Sequence, residues 1–328
     1  MKKILLIRFS SIGDIVLTTL ALRCLRNTFP NAQVDFLTKI EYKDLVSKHL
    51  RVDDVLVLKG SLLETSKEIV HRDYDFVVDF HSNLRSKALV QLLPERIKVF
   101  KYKKQTLRRA VSVWLGKDLY RGGKVPEQYL QALSSLGVEH DRQGLEFEIP
   151  KSDHVYRGDV PMTHQSGYVV IALGATYFTK RLPLNKWKEI CQKIELPIIL
   201  IGGDGEVELG EQLASYDDLK VVNRCGQYSI GQSASVMEQA LFVVTQDSGM
   251  MHIAAALKKK IISIWGGTVP YLGFEPYGLN DQQSIIIENR QLSCRPCSKY
   301  GRSSCPKGHF KCMKDIDVQE VGRAVRQI

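Results

Sequence analysis

The chain has 328 residues, 44% of them hydrophobic and 25% charged, with a net charge of +10. That length is about twice a usual single domain, so two domains with separate cores are expected. The composition excludes disordered, collagen-like and disulfide-dense classes, and no apolar run approaches the roughly 20 residues a membrane-spanning helix needs.

Lys2 and Lys3 precede an apolar run over 4–7, as in a signal peptide, but Arg8, Ser10, Ser11 and Asp14 break it at once, so a cytoplasmic chain is expected. The first segment reads as a strand over 4–7, a turn containing Gly13, and a helix over 15–25. Strands follow over 34–37, 55–58 and 76–80, alternating with helices, which indicates a parallel sheet with helices on both faces. Residues 145–167, with Pro150, Gly158, Pro161 and Gly167, read as a linker. The rhythm then restarts, with strands over 168–173, 198–201, 221–222, 242–245 and 261–265 and helices between them. Two α/β units place a cleft at the carboxyl ends of strands, where ligands usually bind.

The charge is concentrated. Ten Lys or Arg lie between Arg96 and Lys124 against one acid, Asp118; seven lie between Arg290 and Lys314 with none. Such segments suit an anionic partner, whether phospholipid headgroups, nucleic acid or a phosphorylated substrate, or they are simply solvated surface.

Three strand ends carry candidate chemistry. Thr245-Gln246-Asp247-Ser248-Gly249-Met250-Met251-His252 ends a strand and opens a helix, a ready anion site, although Asp247 or Ser248 could equally cap that helix. Gly174-Ala175-Thr176 with Lys180 joins close backbone approach to one point charge, as a pyrophosphate requires, whereas a lone loop Lys is usually solvated. Gly202-Gly203-Asp204-Gly205-Glu206 offers an acid for ribose hydroxyls but lacks the G-x-G-x-x-G spacing of a dinucleotide site. Asp14, after Gly13, is placed either to act as a base or to cap the helix behind it. Cys294, Cys297, Cys305 and Cys312 fit a structural zinc site only in part, so reduced thiols or two disulfides remain open beside it.

These residues together resemble glycosyltransferase family 9, the heptosyltransferases of lipopolysaccharide core assembly. The resemblance rests on residues 7–16 (IRFSSIGDIV), Asp79 with Asn83-Leu84-Arg85-Ser86, and Leu173-Gly174-Ala175 with Lys180-Arg181-Leu182-Pro183. It continues through Cys225-Gly226, residues 247–256 (DSGMMHIAAA), Trp265-Gly266-Gly267-Thr268, Pro276-Tyr277-Gly278 and the C-terminal cysteine segment with Cys312-Met313. It implies an α/β GT-B fold of two Rossmann-like domains: an acceptor domain over 1–155, a nucleotide-sugar domain over 156–313, and a C-terminal helix over 314–328 crossing back to the first. The implied reaction is inverting and metal-independent, from ADP-heptose to a hydroxyl of the lipopolysaccharide inner core, with no catalytic cofactor.

Carried over by position, Asp14 is the base, and Lys180 with Ser248, Gly249 and His252 stabilises the leaving diphosphate. Thr176, Glu206 (or Glu208) and Asp247 complete the donor site. Ser10, Gly13, Lys101, Lys103, Lys104 and Arg108 face an anionic lipid-linked acceptor, in peripheral contact with the inner face of the inner membrane. The family usually has Trp where Leu182 stands, and no residue identifies the sugar, so another nucleotide-activated sugar or acceptor stays open. An epimerase or hydrolase on the same fold would share the diphosphate site without needing the first basic segment. A nucleic-acid binder would explain both basic segments but not the D-S-G-x-x-H block, and Phe100, Tyr102 and Trp114 are few for a stacking platform; no nucleic-acid partner is expected.

Overall fold

A computed structural model describes residues 1–327, in which eleven strands form two wholly parallel sheets. The first contains β1 (Lys3–Ile7), β2 (Gln33–Thr38), β3 (Asp54–Val57), β4 (Phe76–Asp79) and β5 (Lys98–Lys101), in the order β3-β2-β1-β4-β5. The second contains β6 (Val169–Ala172), β7 (Ile198–Ile201), β8 (Val221–Asn223), β9 (Val243–Gln246), β10 (Ile261–Trp265) and β11 (Ser284–Glu288), ordered β11-β10-β9-β6-β7-β8. Both are doubly wound, so the direction in which successive strands are added reverses between β1 and β4 in one sheet and between β6 and β9 in the other. Those two reversals open crevices beyond the strand ends.

Central strands such as Ile4-Leu5-Leu6-Ile7 and Val169-Val170-Ile171-Ala172 are apolar throughout because helices cover both faces of a parallel sheet. The single helix expected over 15–25 is two, Ile12–Leu17 and Thr19–Thr28. Thr18 and Thr19 donate their hydroxyls back to the Ile15 and Val16 carbonyls at 2.7 Å, and this competition with the backbone ladder breaks the run.

The chain divides into one unit of Met1–Gln105 with Gly122–Glu148 and another of Thr106–Arg121 with Ile149–Ile328. Helix Thr106–Leu115, expected with the first domain, thus groups with the second unit. The last helix, Val318–Gln327, lies on helix Leu184–Lys193, and its Val318, Val321 and Ala324 belong to the second unit's core with Trp187 and Ile190. It therefore packs on the second unit's own core. Its apolar positions 318, 321 and 324 share one helical face that matches that core.

Candidate functional site

In the first unit, the loop after β1 and helix Ile12–Leu17 bring Asp14 to the β1/β4 reversal. Ser11, not Asp14, is the helix N-cap; Asp14 sits three residues on, and its Oδ2 accepts from the Ser11 hydroxyl at 3.1 Å. Arg8, almost wholly buried, reaches the same carboxylate at 2.5 Å and also donates to the Phe80 carbonyl and the Tyr129 hydroxyl, both at 2.9 Å. Tyr129 in turn donates to Asp14 Oδ1 at 3.5 Å. Burial is the largest influence on Arg8 and works against its charge, but Asp14 together with Tyr129 and Tyr102 raises that guanidinium above its ordinary value. A charge-assisted pair of this kind keeps Asp14 oriented, with part of its carboxylate still open to solvent.

His81, in the turn after β4, packs on Phe9 at 4.8 Å. Burial first, then Arg8 and Lys104, push its imidazole down to about 3, so it is neutral at pH 7. Lys104 is half-buried, and burial and Arg8 lower it while Asp14 and Asp79 pull it upward. Asp79 itself is fully buried and builds the turn, accepting from the His81 and Ser82 amides and the Ser86 hydroxyl at 2.8–2.9 Å.

Of the expected acceptor residues, the structure gathers Lys104 near Asp14. Ser10 accepts from Arg8 Nε at 2.7 Å through its carbonyl, and Gly13 is buried in the first helical turn. Lys101 and Lys103 are exposed on and just after edge strand β5, and Arg108 is exposed on the helix that groups with the second unit. Arg8, His81 and Tyr129 escaped sequence reasoning. Arg8 lay inside the quoted 7–16 motif, but Tyr129 gave no sequence signal because it arrives from a distant helix, Val125–Gln131.

In the second unit, the loops after β6 and β9 meet at the β6/β9 reversal. Lys180 Nζ lies 2.7 Å from Asp247 Oδ2, and Thr268 donates to the same oxygen at 2.6 Å. Next to Asp247, Gln246 clamps the neighbouring loop, accepting from the Leu182 amide at 2.6 Å and donating to the Leu173 carbonyl. Leu182 is buried in the core, so the residue that departs from the family pattern fills a packing position.

Ser248 precedes helix Gly249–Ala256, yet its side chain makes no capping bond and instead meets the Thr245 hydroxyl at 3.4 Å. His252 is buried in the first turns of that helix. Arg295 fixes the loop behind the site, donating to the carbonyls of Trp265, Thr268 and Asn289 and to Glu288.

The Glu206 carboxylate accepts from the Gly203 amide at 3.0 Å and stands against Gly174, where an added Cβ would lie 3.1 Å from it. At Gly202 a Cβ would come within 2.7 Å of the Glu206 side chain, so both glycines exist to admit this acid to the strand ends. Glu208 instead is exposed and accepts from Gln212. Thr176 is exposed at the tip of the β6 loop.

The zinc set expected from Cys294, Cys297, Cys305 and Cys312 is not formed: among the described residues no three His, Cys, Asp or Glu side chains are placed to hold a metal. Cys297 turns its sulfur to the Gly267 carbonyl at 3.5 Å, and Cys312 is drawn into the apolar core, where burial pushes its thiol up to about 11. All four are free thiols. Among the described residues, no helix is long and apolar enough to cross a membrane.

Residues 62–307 match the family model for glycosyltransferase family 9 (heptosyltransferase). Lipooligosaccharide heptosyltransferase 2 of Campylobacter jejuni is 23% identical, over 94% of this chain and 93% of its own length. Lipopolysaccharide heptosyltransferase 1 of Pseudomonas aeruginosa is 25% identical, over 90% and 86%. The Escherichia coli ADP-heptose lps heptosyltransferase II structure superposes with a TM-score of 0.73 at 17% identity, over 99% of this chain and 98% of that one. With a family model spanning most of the sequence and a GT-B neighbour across its whole length, the chain belongs to glycosyltransferase family 9.

Proposed function

We propose that this chain transfers heptose from ADP-heptose to a hydroxyl of the lipopolysaccharide inner core with inversion at the anomeric carbon. The observation that carries the donor half is the Lys180–Asp247 pair at the β6/β9 reversal, beside a helix start whose Ser248 hydroxyl makes no cap. In a single displacement, Asp14 takes the proton of the acceptor hydroxyl. The acceptor oxygen bonds to the anomeric carbon as the bond from that carbon to the diphosphate oxygen breaks. The electron pair leaves with ADP. Charge grows on the diphosphate, so the Lys180 cation, already fixed by Asp247, which Thr268 in turn holds, needs no reorganisation to stabilise it.

The Ser248 hydroxyl, the Gly249 amide and the helix dipole add donors at the same place, with His252 in the next turn and Thr176 on the facing loop. Glu206 accepts from the ribose hydroxyls. On the acceptor side, Arg8 holds Asp14 oriented as a positioning residue, and Ser10, Gly13, Lys101, Lys103, Lys104 and Arg108 meet an anionic lipid-linked acceptor. As the family resemblance implies, no metal takes part in the step, and the chain works on the cytoplasmic face of the inner membrane.

The names of the relatives support heptose and lipopolysaccharide, and the name of the E. coli neighbour supports ADP-heptose. The test is transfer from ADP-heptose to an inner-core acceptor, read by mass spectrometry of the acceptor. Heptosylated product with inverted linkage is expected from the native chain and is lost in Asp14→Asn. Donor consumed without acceptor would instead indicate an epimerase or hydrolase.

A further inference from the structure

Helix Thr106–Leu115 presents its apolar side outward. Leu107 and Trp114 are 77% and 84% exposed, and Val111 and Leu115 are exposed with them; their spacing of four, three and one places all four on one face. The opposite face buries Arg109, only 1% exposed, which donates to the Leu272 carbonyl and the Tyr120 hydroxyl at 2.9 Å and stacks on the Tyr120 and Phe274 rings. The buried arginine therefore fixes the helix with its hydrophobic stripe facing solvent.

Beside the stripe runs a groove of ≈ 670 Å³, lined by Trp114 and Leu115 on one wall and by Lys299, Tyr300, Arg302 and Lys307 on the other. The segment supplying that second wall carries seven cations and no acid between Arg290 and Lys314, while Arg108 is exposed on the helix itself and Lys117 and Arg121 follow it.

We propose that this face docks on the surface of an anionic lipid bilayer. The helix would lie in the interface with Leu107, Val111 and Leu115 among the upper acyl chains and Trp114 at headgroup depth, where an amphipathic indole is favoured. Arg302 and Lys307 would meet lipid phosphates, each basic residue adding attraction that salt screens. Charge argues against a second copy of this chain as the occupant, because two such faces would oppose like charges. The surface is independent of the donor site, so its test and that of the transfer reaction can fail separately.

The test uses the intact chain and the fact that Trp114 is its only exposed tryptophan, Trp187 and Trp265 being fully buried. With vesicles of equimolar phosphatidylglycerol and phosphatidylethanolamine, the protein should sediment with the lipid, its tryptophan emission should shift to the blue, and both effects should fade at high salt. Trp114→Ser with Leu107→Ser should weaken partitioning by roughly tenfold or more. Arg302→Glu with Lys307→Glu should do likewise. Both double variants should bind ADP as the native chain does, which shows that they fold. The proposal is overturned if the ADP-competent native chain ignores these vesicles or binds neutral phosphatidylcholine equally well. It is also overturned if the variants partition unchanged, or if Trp114→Ser instead abolishes a dimer.

Discussion

Asp14 shares its carboxylate with Arg8, Ser11 and Tyr129, an arrangement that sets its direction. Asp14→Asn should lower kcat by roughly 10²–10⁴ and leave ADP affinity unchanged, since the carboxylate's task is proton removal from the acceptor. Arg8→Lys keeps the charge but loses the fork that holds Asp14, Tyr129 and the Phe80 carbonyl together. It should reduce kcat and change the pH profile more than it changes donor KM.

Acid should act on the first unit through two histidines, His81 and His49, held by burial down to about 3 and about 4. An unfolded imidazole titrates near 6.5, so between that pH and the folded value the unfolded chain binds the extra proton. The stability these groups contribute is therefore complete above about pH 6.5 and declines as pH falls toward 3 to 4. Replacing His81 by Gln should flatten this acid limb, as measured by urea midpoints across pH 4 to 7.

At the scale of elements, two glycines are most sensitive to substitution: Gly202, which follows β7, and Gly210, which lies in helix Val207–Ala214 against the end of β8. A Cβ at Gly210 would meet the Asn223 amide at 2.2 Å, and that amide holds the Val207 carbonyl and the Cys225 N–H. Gly210→Ala should cost about 1–3 kcal/mol in chemical denaturation. Gly202→Ala crowds Glu206 instead, so it should weaken ADP binding with a smaller loss of stability.

The central strands and the two reversal crevices were legible because an apolar run followed by a small-residue turn is a local pattern. Strands β5 and β11 were not anticipated: Lys98-Val99-Phe100-Lys101 is short and cationic at both ends, as an edge strand tolerates, and so it read as part of a basic segment. Lys180, Asp247 and Glu206 were visible as strand-end residues. The Lys180–Asp247 pairing was not, because its members come from separate loops and Thr268 joins Asp247 from a third. The cysteine spacing, which left zinc, reduced thiols and disulfides open, could not show that Cys312 packs with Phe310 and Met313 in the second unit's core.

For the whole molecule, the two units carry different reporters. All three tryptophans lie in the second unit, while the two most strongly lowered histidines lie in the first. On acidification, far-UV circular dichroism should therefore change before tryptophan emission, and coincident transitions would show that the units unfold together.

The basic segments are also a whole-molecule property, and a chain of net charge +10 attracts any polyphosphate at low salt. Calorimetric titration with ADP, UDP and GDP at moderate salt, with Lys180→Ala and His252→Ala alongside, separates that general attraction from a built donor site. The account predicts a preference for ADP that is lost in both variants. Equal, salt-sensitive binding of all three nucleotides, unchanged by either substitution, would contradict it.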